Sequence, residues 1–218
     1  MPWVVAVLSL GLFALIALSV FQWHTFAADT LIPAWLGDHP LPDALFQFVA
    51  TITHLGDKET VVGLTLVMIA ATLIARRYRL QAACLLGSGV LAAITENTLK
   101  NIFQRIRPSY AGLHLHGHHH SHHGHHADIS YSFPSGHAML SICYYGLLIC
   151  FIAGELPTRY RPWLYAFGIL LALIIGASRV IINVHYVSDV LAGYCIATPI
   201  LLLAIVAYRY CDKKLTTH

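Results

Sequence analysis

Charge is scarce in this chain. Asp, Glu, Lys and Arg make up 11% of its 218 residues while apolar residues reach 57%, and soluble domains carry about 25% charged residues. Such a composition argues for a membrane protein. Cysteine is absent from the long polar loops: Cys84, Cys143, Cys150, Cys195 and Cys211 lie in apolar runs or at the tail. A disulfide framework is therefore not expected, and these residues read as small packing groups. The net charge of +3 is small and scattered. With no basic-aromatic stripe beside it, it excludes nucleic acid as a partner. No internal repeat and no Asn-X-Ser/Thr sequon occur. The length suits one domain spanning residues 1–218.

Long apolar runs are present. A bilayer core of about 30 Å needs roughly 20 apolar residues per helix. Six runs approach this: Trp3–Phe21, Val61–Ile74, Ala82–Ile94, Ala138–Ile152, Trp163–Ser178 and Val190–Tyr208. Several are short, so their polar ends must reach the headgroup layer. The first reads as a span rather than a signal peptide, since no Lys or Arg precedes it and it exceeds a usual signal core. Phe26-Ala27-Ala28 before Asp29 would nevertheless suit a cleavage site.

The linkers alternate in charge. Arg76, Arg77, Arg79, Arg159, Arg161, Arg209, Lys213 and Lys214 fall on one side, eight of the thirteen Lys and Arg. The positive-inside tendency makes that side cytoplasmic, with both termini facing in. Trp3, Trp163, Tyr165, Tyr208 and Tyr210 would form the inner aromatic belt, and Phe21 and Trp23 part of the outer one. Between the first two runs, Leu41, Ala44, Leu45, Phe48, Val49, Ile52 and Leu55 recur at helical spacing. They predict an amphipathic helix in the outer headgroup layer, or one capping the bundle away from lipid. The expected fold is thus an all-α polytopic membrane helix bundle, with six transmembrane helices and an outer interfacial amphipathic helix.

Three polar clusters stand at the outer ends of these runs. In "ENTLKNIFQRIRPSY", six residues separate Lys100 from Arg107-Pro108. "PSGH", Pro134 to His137, opens the fourth run. In "SRVIINVHYVSD", Ser178-Arg179 is followed by His185 and, one helical turn on, by Asp189. Each has a plain alternative: Lys100 and Arg107 as snorkelling anchors, His137 as a satisfied polar residue, and His185–Asp189 as a hydrogen-bonded helix start. Yet a charge at the centre of a membrane helix costs ~2.5–3.5 kcal/mol, and less near the interface. One demand accounts for all three clusters, namely a phosphate group. Lys100, Arg107 and Arg179 supply positive charge, and guanidinium grips phosphate with two bonds. Ser135 and Gly136 would offer free N–H groups, a hydroxyl and a helix N-terminus, with Gly136 permitting close approach. His185, held by Asp189, would present an unprotonated nitrogen as a nucleophile. His137 would be the acid that protonates the departing oxygen. Glu96, one turn before Lys100, would orient it or simply pair with it on the helix surface.

"KNIFQRIRP", "PSGH" and "SRVIINVHYVSD" together resemble the three signature motifs of the type 2 phosphatidic acid phosphatase (PAP2) superfamily. The resemblance covers residues 100–189, in order, with every signature position filled. It implies a membrane lipid phosphatase without cofactor or metal, working through a phosphohistidine intermediate. His185 would be the nucleophile, Asp189 its orienter and His137 the acid. Lys100, Arg107, Ser135, Gly136 and Arg179 would bind phosphate. Ser178 matches a motif position whose role is less clear.

The expected substrate is a membrane lipid bearing a phosphate or diphosphate at the bilayer surface, of the undecaprenyl diphosphate, phosphatidic acid or phosphatidylglycerophosphate type. The expected location is a bacterial cytoplasmic (inner) membrane, with the site facing the periplasm or outside. A lipid phosphotransferase or lipid A phosphatase would use the same site. A non-enzymatic metal or lipid transporter would treat the clusters as packing. The loop at residues 111–130 holds nine of the fifteen histidines, between His114 and His126. It reads as low-complexity sequence, as a weak transition-metal or pH-responsive gate, or as a structural metal site, although no spacing specifies a closed site.

Overall fold

A computed structural model describes residues 2–23, 26–75, 78–108 and 131–216. The histidine-rich loop, Arg76 and Arg77, and the side chain of Trp23 lie outside the described residues. The described residues are all-α: α1 (Pro2–Trp23), α2 (Ala27–Asp38), α3 (Asp43–Thr53), α4 (Lys58–Ile74), α5 (Arg79–Phe103), α6 (Gly136–Leu140), α7 (Gly146–Glu155), α8 (Arg161–Ile181) and α9 (Val187–Thr216). A π-helical turn, Ser141–Tyr145, joins α6 and α7 into one rod.

Each expected run lies inside a helix or helical rod that extends past it at both ends, except that α4 stops with its run at Ile74. Backbone hydrogen bonding explains this: in hydrocarbon a helix must continue until water or protein can satisfy its free groups. Five helices among the described residues are long and apolar enough to cross a membrane, against six expected. The shortfall is α4, which has 17 residues. At 1.5 Å per residue it extends about 26 Å, and its first turn is the polar Lys58-Glu59-Thr60.

The rod Gly136–Glu155 is central, with 67% of its most apolar stretch buried, whereas the other four candidate spans are buried over 22–33%. Their remaining faces expose Val7, Leu8, Leu15, Phe167, Ile169 and Leu203, as a lipid-facing surface would. Tyr144, Leu85, Met139, Leu147, Ile175 and Ala197 form the main core. Small residues permit close helix approach, as is usual between membrane helices. A Cβ on Gly193 would stand 2.8 Å from the Ser135 carbonyl and 2.9 Å from the Ala138 Cβ, so Gly193 lets α9 press against the start of α6.

α3 occupies the centre of the expected amphipathic stretch, and a 3-10 turn, His54–Gly56, carries its end to α4. Phe46 and Thr53 point inward while Leu45 and Phe48 are exposed, and the helix packs on α8. α2 was not expected. It exposes Leu31, Ile32 and Trp35 and buries Asp29 and Pro33, the reverse of a water-facing amphipathic helix.

Candidate active site

The signature clusters meet at one end of the bundle, where α5 ends, α6 begins and the α8–α9 turn crosses between them. At the end of α5, Gln104 adopts a left-handed backbone with φ of 44°, uncommon for a residue other than glycine. This turns the chain so that Arg105 and Arg107 reach the α8–α9 turn. Arg107 Nη1 donates to the Val184 carbonyl at 3.1 Å. The turn itself is shaped by Asn183, with φ of 57°. Both Val184 and His185 donate their N–H to the Arg179 carbonyl, at 3.1 and 3.2 Å. Arg179 is thereby tied to His185 through the backbone.

His185 is buried, with Nδ1 turned toward Asp189 Oδ2 at 3.4 Å. That contact is close but not aligned as a hydrogen bond. Asp189 Oδ2 also accepts the Tyr186 N–H at 2.9 Å. Since Nδ1 faces Asp189, Nε2 lies on the far side of the ring. Burial is the largest influence on this imidazole and pushes its pKa down; Asp189 opposes the shift, Arg107 and Arg179 add to it, and the result is about 4 against the ordinary 6.5. The ring is therefore neutral at neutral pH.

His137 sits in the first turn of α6, near enough to Arg179 and His185 for their charges to act on it. Its Nε2 lies 2.8 Å from Asp57 Oδ1, and Asp57 Oδ2 lies 2.7 Å from His54 Nδ1. Burial pushes the Asp57 carboxyl up, but the His54 and His137 hydrogen bonds outweigh it and hold it below its ordinary value. Gly56 is obligatory here, because a Cβ would come within 2.7 Å of the His137 ring.

Lys100 Nζ pairs with Glu96 Oε1 at 2.6 Å, and Lys58 approaches Glu96 Oε2 at 3.7 Å. A Cβ on Gly136 would overlap the Glu96 carboxylate. The missing side chain of Gly136 thus seats Glu96, and with it Lys100, beside His137. Ser135 departs from expectation. Its N–H is not free but donates to the Asp189 carbonyl at 3.0 Å, and its hydroxyl caps the Ala138 N–H at 3.5 Å. This lattice fixes α6 against α9, and its physical cause is the short Gly193 contact. Ser178 is buried, donating to the Ile175 carbonyl at 2.6 Å and meeting Thr53 at 3.0 Å.

The structure thus gathers Arg107, Arg179, His137, His185 and Asp189, and joins Lys100 to them through Glu96. Sequence reasoning missed Thr53, Asp57, Asp29 and Arg105. Thr53 accepts from Arg179 Nη1 at 2.8 Å. Arg105 links Asp29 and Asp189, at 2.8 and 2.5 Å. The one available signal was an acid placed in otherwise apolar or loop sequence, which Asp29 and Asp57 both are. Among the described residues, no cluster of three or more His, Cys, Asp or Glu is arranged to hold a metal ion. Chemically, the site joins fixed cations, a neutral imidazole backed by a carboxylate, and a second imidazole hydrogen-bonded to another carboxylate.

An apolar cavity of about 300 Å³ opens between α4 and α5, lined by Val62, Leu66, Ile69, Leu86 and Val90. Lys58 and Glu96 form its polar end, so it adjoins Lys100.

Comparison with known proteins places the chain in a family. Residues 81–213 match the family model described as the PAP2 superfamily. A phosphatidylglycerophosphatase B from Bacillus subtilis (strain 168) is 30% identical over 152 residues, covering 69% of this chain and 68% of that protein. An undecaprenyl-diphosphatase from Sulfolobus acidocaldarius is 33% identical over 75 residues, 34% of this chain and 32% of that protein. The crystal structure of a transmembrane PAP2-type phosphatidylglycerolphosphate phosphatase from Bacillus subtilis superposes with a TM-score of 0.77 at 25% identity, covering 96% of each chain.

Proposed function

The chain belongs to the PAP2 superfamily as a membrane phosphatase acting on lipid phosphate groups, and from that premise we propose that it releases the terminal phosphate of a membrane lipid through a phosphohistidine on His185. The observation that carries this reading is the convergence of Arg107, Arg179 and His137 around the buried His185–Asp189 pair. Lys100, Arg107 and Arg179 neutralise the phosphate, with Ser135 and Gly136 shaping the cradle. His185 Nε2 gives its lone pair to phosphorus while the bond to the lipid oxygen breaks. That oxygen keeps the bonding pair and takes a proton from His137. Asp189 accepts from Nδ1–H, and the long contact shortens as the ring becomes cationic, since catalytic hydrogen bonds are often long before substrate binds. Water then attacks phosphorus, giving its proton to His137, and the N–P bond breaks. Phosphoryl transfer asks mainly for positioning and charge stabilisation, which this site supplies from side chains.

The cavity supports a long-tailed lipid as the substrate class. With the phosphate at Lys100, a lipid tail would run past Lys58 and Glu96 into the apolar groove between α4 and α5. Phosphatidylglycerophosphate, phosphatidic acid and undecaprenyl diphosphate all have this form. The same groove supports α4 as a sixth span, since Lys58 lines it with Glu96 at one end and Ile69 with Leu85 and Leu86 further along. α4 then runs antiparallel beside α5 through the same depth. With six spans both termini share one side, and the Lys and Arg of the loops on that side favour the cytoplasm of an inner-membrane protein; the site would then face outward, with α3 at the outer headgroups and residues 1–218 as one domain.

The test is phosphate release by the purified protein in detergent across these lipids, without an acceptor, with and without EDTA. Release of free phosphate that persists in EDTA is expected. Release abolished by EDTA and restored by one metal defeats the mechanism, and phosphate appearing only on an added lipid acceptor makes the protein a transferase.

A further inference from the structure

Behind His185 lies a second charge cluster. Arg105 sits between two buried carboxylates, donating through Nη2 to Asp29 Oδ2 at 2.8 Å and through Nη1 to Asp189 Oδ1 at 2.5 Å. Ser188 Oγ accepts from Arg105 Nη1 at 2.7 Å and donates to Asp29 Oδ2 at 2.6 Å. The Ser188 N–H donates to Asp29 Oδ1 at 2.9 Å. The Tyr186 ring lies 4.0 Å beneath the guanidinium. Asp29 and Asp189 are 0% exposed and Arg105 is 6% exposed. Ion pairs this deep are expensive to bury, and apolar groups of similar shape hold a fold together at least as well. The cluster therefore asks for a reason beyond packing.

We infer that Asp29 and Arg105 are positioning residues for phosphoryl transfer: Arg105 clamps the Asp189 carboxylate, and Asp29 neutralises Arg105 so that the charge of Asp189 remains available to His185. The inference rests on His185 being the nucleophile. When Nε2 bonds phosphorus, the ring becomes an imidazolium whose Nδ1–H points at Asp189 Oδ2. The groups around Asp189 are Asp29 from α2, Arg105 from the segment after α5, His185 and Tyr186 from the turn before α9, and Ser188 beside it. Arg107 and Arg179 also act on His185, and both oppose a cationic ring. Two carboxylates and one guanidinium leave one net negative charge behind the ring. Without Asp29, Arg105 cancels the field of Asp189. Without Arg105, two carboxylates crowd around Ser188 and one takes up a proton, as like charges in one site do. Removing both charges restores the single negative charge of Asp189.

The experiment compares wild type with Asp29→Asn, Arg105→Gln, the double variant and His185→Ala, as full-length protein in detergent. It reads kcat, KM and thermal midpoint on a lipid phosphate. Each single substitution is expected to lower kcat by about 10–100-fold with KM within about twofold, the pattern of an interaction made in the transition state. The double variant should exceed each single variant in kcat. A structural role would instead show as losses that multiply, and as a lowered midpoint with kcat per folded molecule unchanged. If Asp29→Asn cannot be purified, Arg105→Gln against the double variant decides the same point. A double variant slower than Arg105→Gln, or single variants with wild-type kcat, overturns the inference while an inactive His185→Ala leaves the nucleophile standing. A fully active His185→Ala overturns both.

Discussion

Asp57→Asn isolates the role of the carboxylate that sits 2.8 Å from His137 Nε2. Asn keeps the size and an accepting oxygen but removes the charge. His137 and His54 hold the Asp57 carboxyl below its ordinary value, so by linkage Asp57 stabilises a proton on His137. A hydrogen bond to a charged group contributes about 1.5–3 kcal/mol and a neutral one about 1 kcal/mol. The difference is about 0.5–2 kcal/mol, roughly 2–30-fold in rate. The loss should fall only on substrates whose leaving oxygen needs a proton. The assay measures kcat on an alkyl phosphate and on an aryl phosphate whose phenol departs as the anion. Alkyl phosphate turnover is expected to fall roughly 2–30-fold and aryl turnover by less than that, under about twofold. Equal losses on both substrates would show that Asp57 only holds the site together, and no loss on either would remove it from the mechanism.

The remaining predictions concern the nucleophile and the groove. With the His185 imidazole at about 4, kcat/KM on a soluble aryl phosphate, corrected for ionisation of the substrate, should hold through pH 6.5 and fall only toward pH 4; a limb centred near 6.5 contradicts a desolvated His185. The folded value lies below the unfolded one, so His185 contributes stability above about pH 6.5 that is lost as the pH falls toward 4. The thermal midpoint of wild type should therefore drop over that window more than that of His185→Ala. Gly89 lines the groove, and a Cβ added there meets nothing within 4 Å. Gly89→Leu should fill the groove and lower turnover of a long-chain lipid phosphate by about tenfold or more, with soluble aryl phosphate unchanged; equal effects on both would remove the groove from substrate binding.

The three signature clusters were legible because charge is costly in an apolar chain and leaves few readings for Lys100, Arg107, Arg179 and His185. Their spacing also survives folding, since each cluster occupies one helix end or the short turn between two helices. What was not legible is long-range. Asp29 meets Ser188 across 159 residues, Asp57 meets His137 across 80, and Arg179 meets Thr53 across 126. No periodicity announces such pairs. Arg105 and Arg107 stand two apart in one motif and read alike, yet one is buried between carboxylates and the other faces the His185 turn. α2 escaped notice because its pattern is inverted, with Leu31 and Trp35 outward and Asp29 inward. The free N–H expected at Ser135 failed because the contact at Gly193 brings the Asp189 carbonyl to it.

The central claim is that an imidazole attacks phosphorus, and the direct measurement is to catch it. Wild type given a 32P-labelled lipid phosphate would be quenched within one turnover under alkaline conditions and its labelled peptide sequenced by mass spectrometry. The account predicts an acid-labile phosphoryl group on His185, absent from His185→Ala. Label on another residue, or steady turnover with no labelled protein at any quench time, would contradict it.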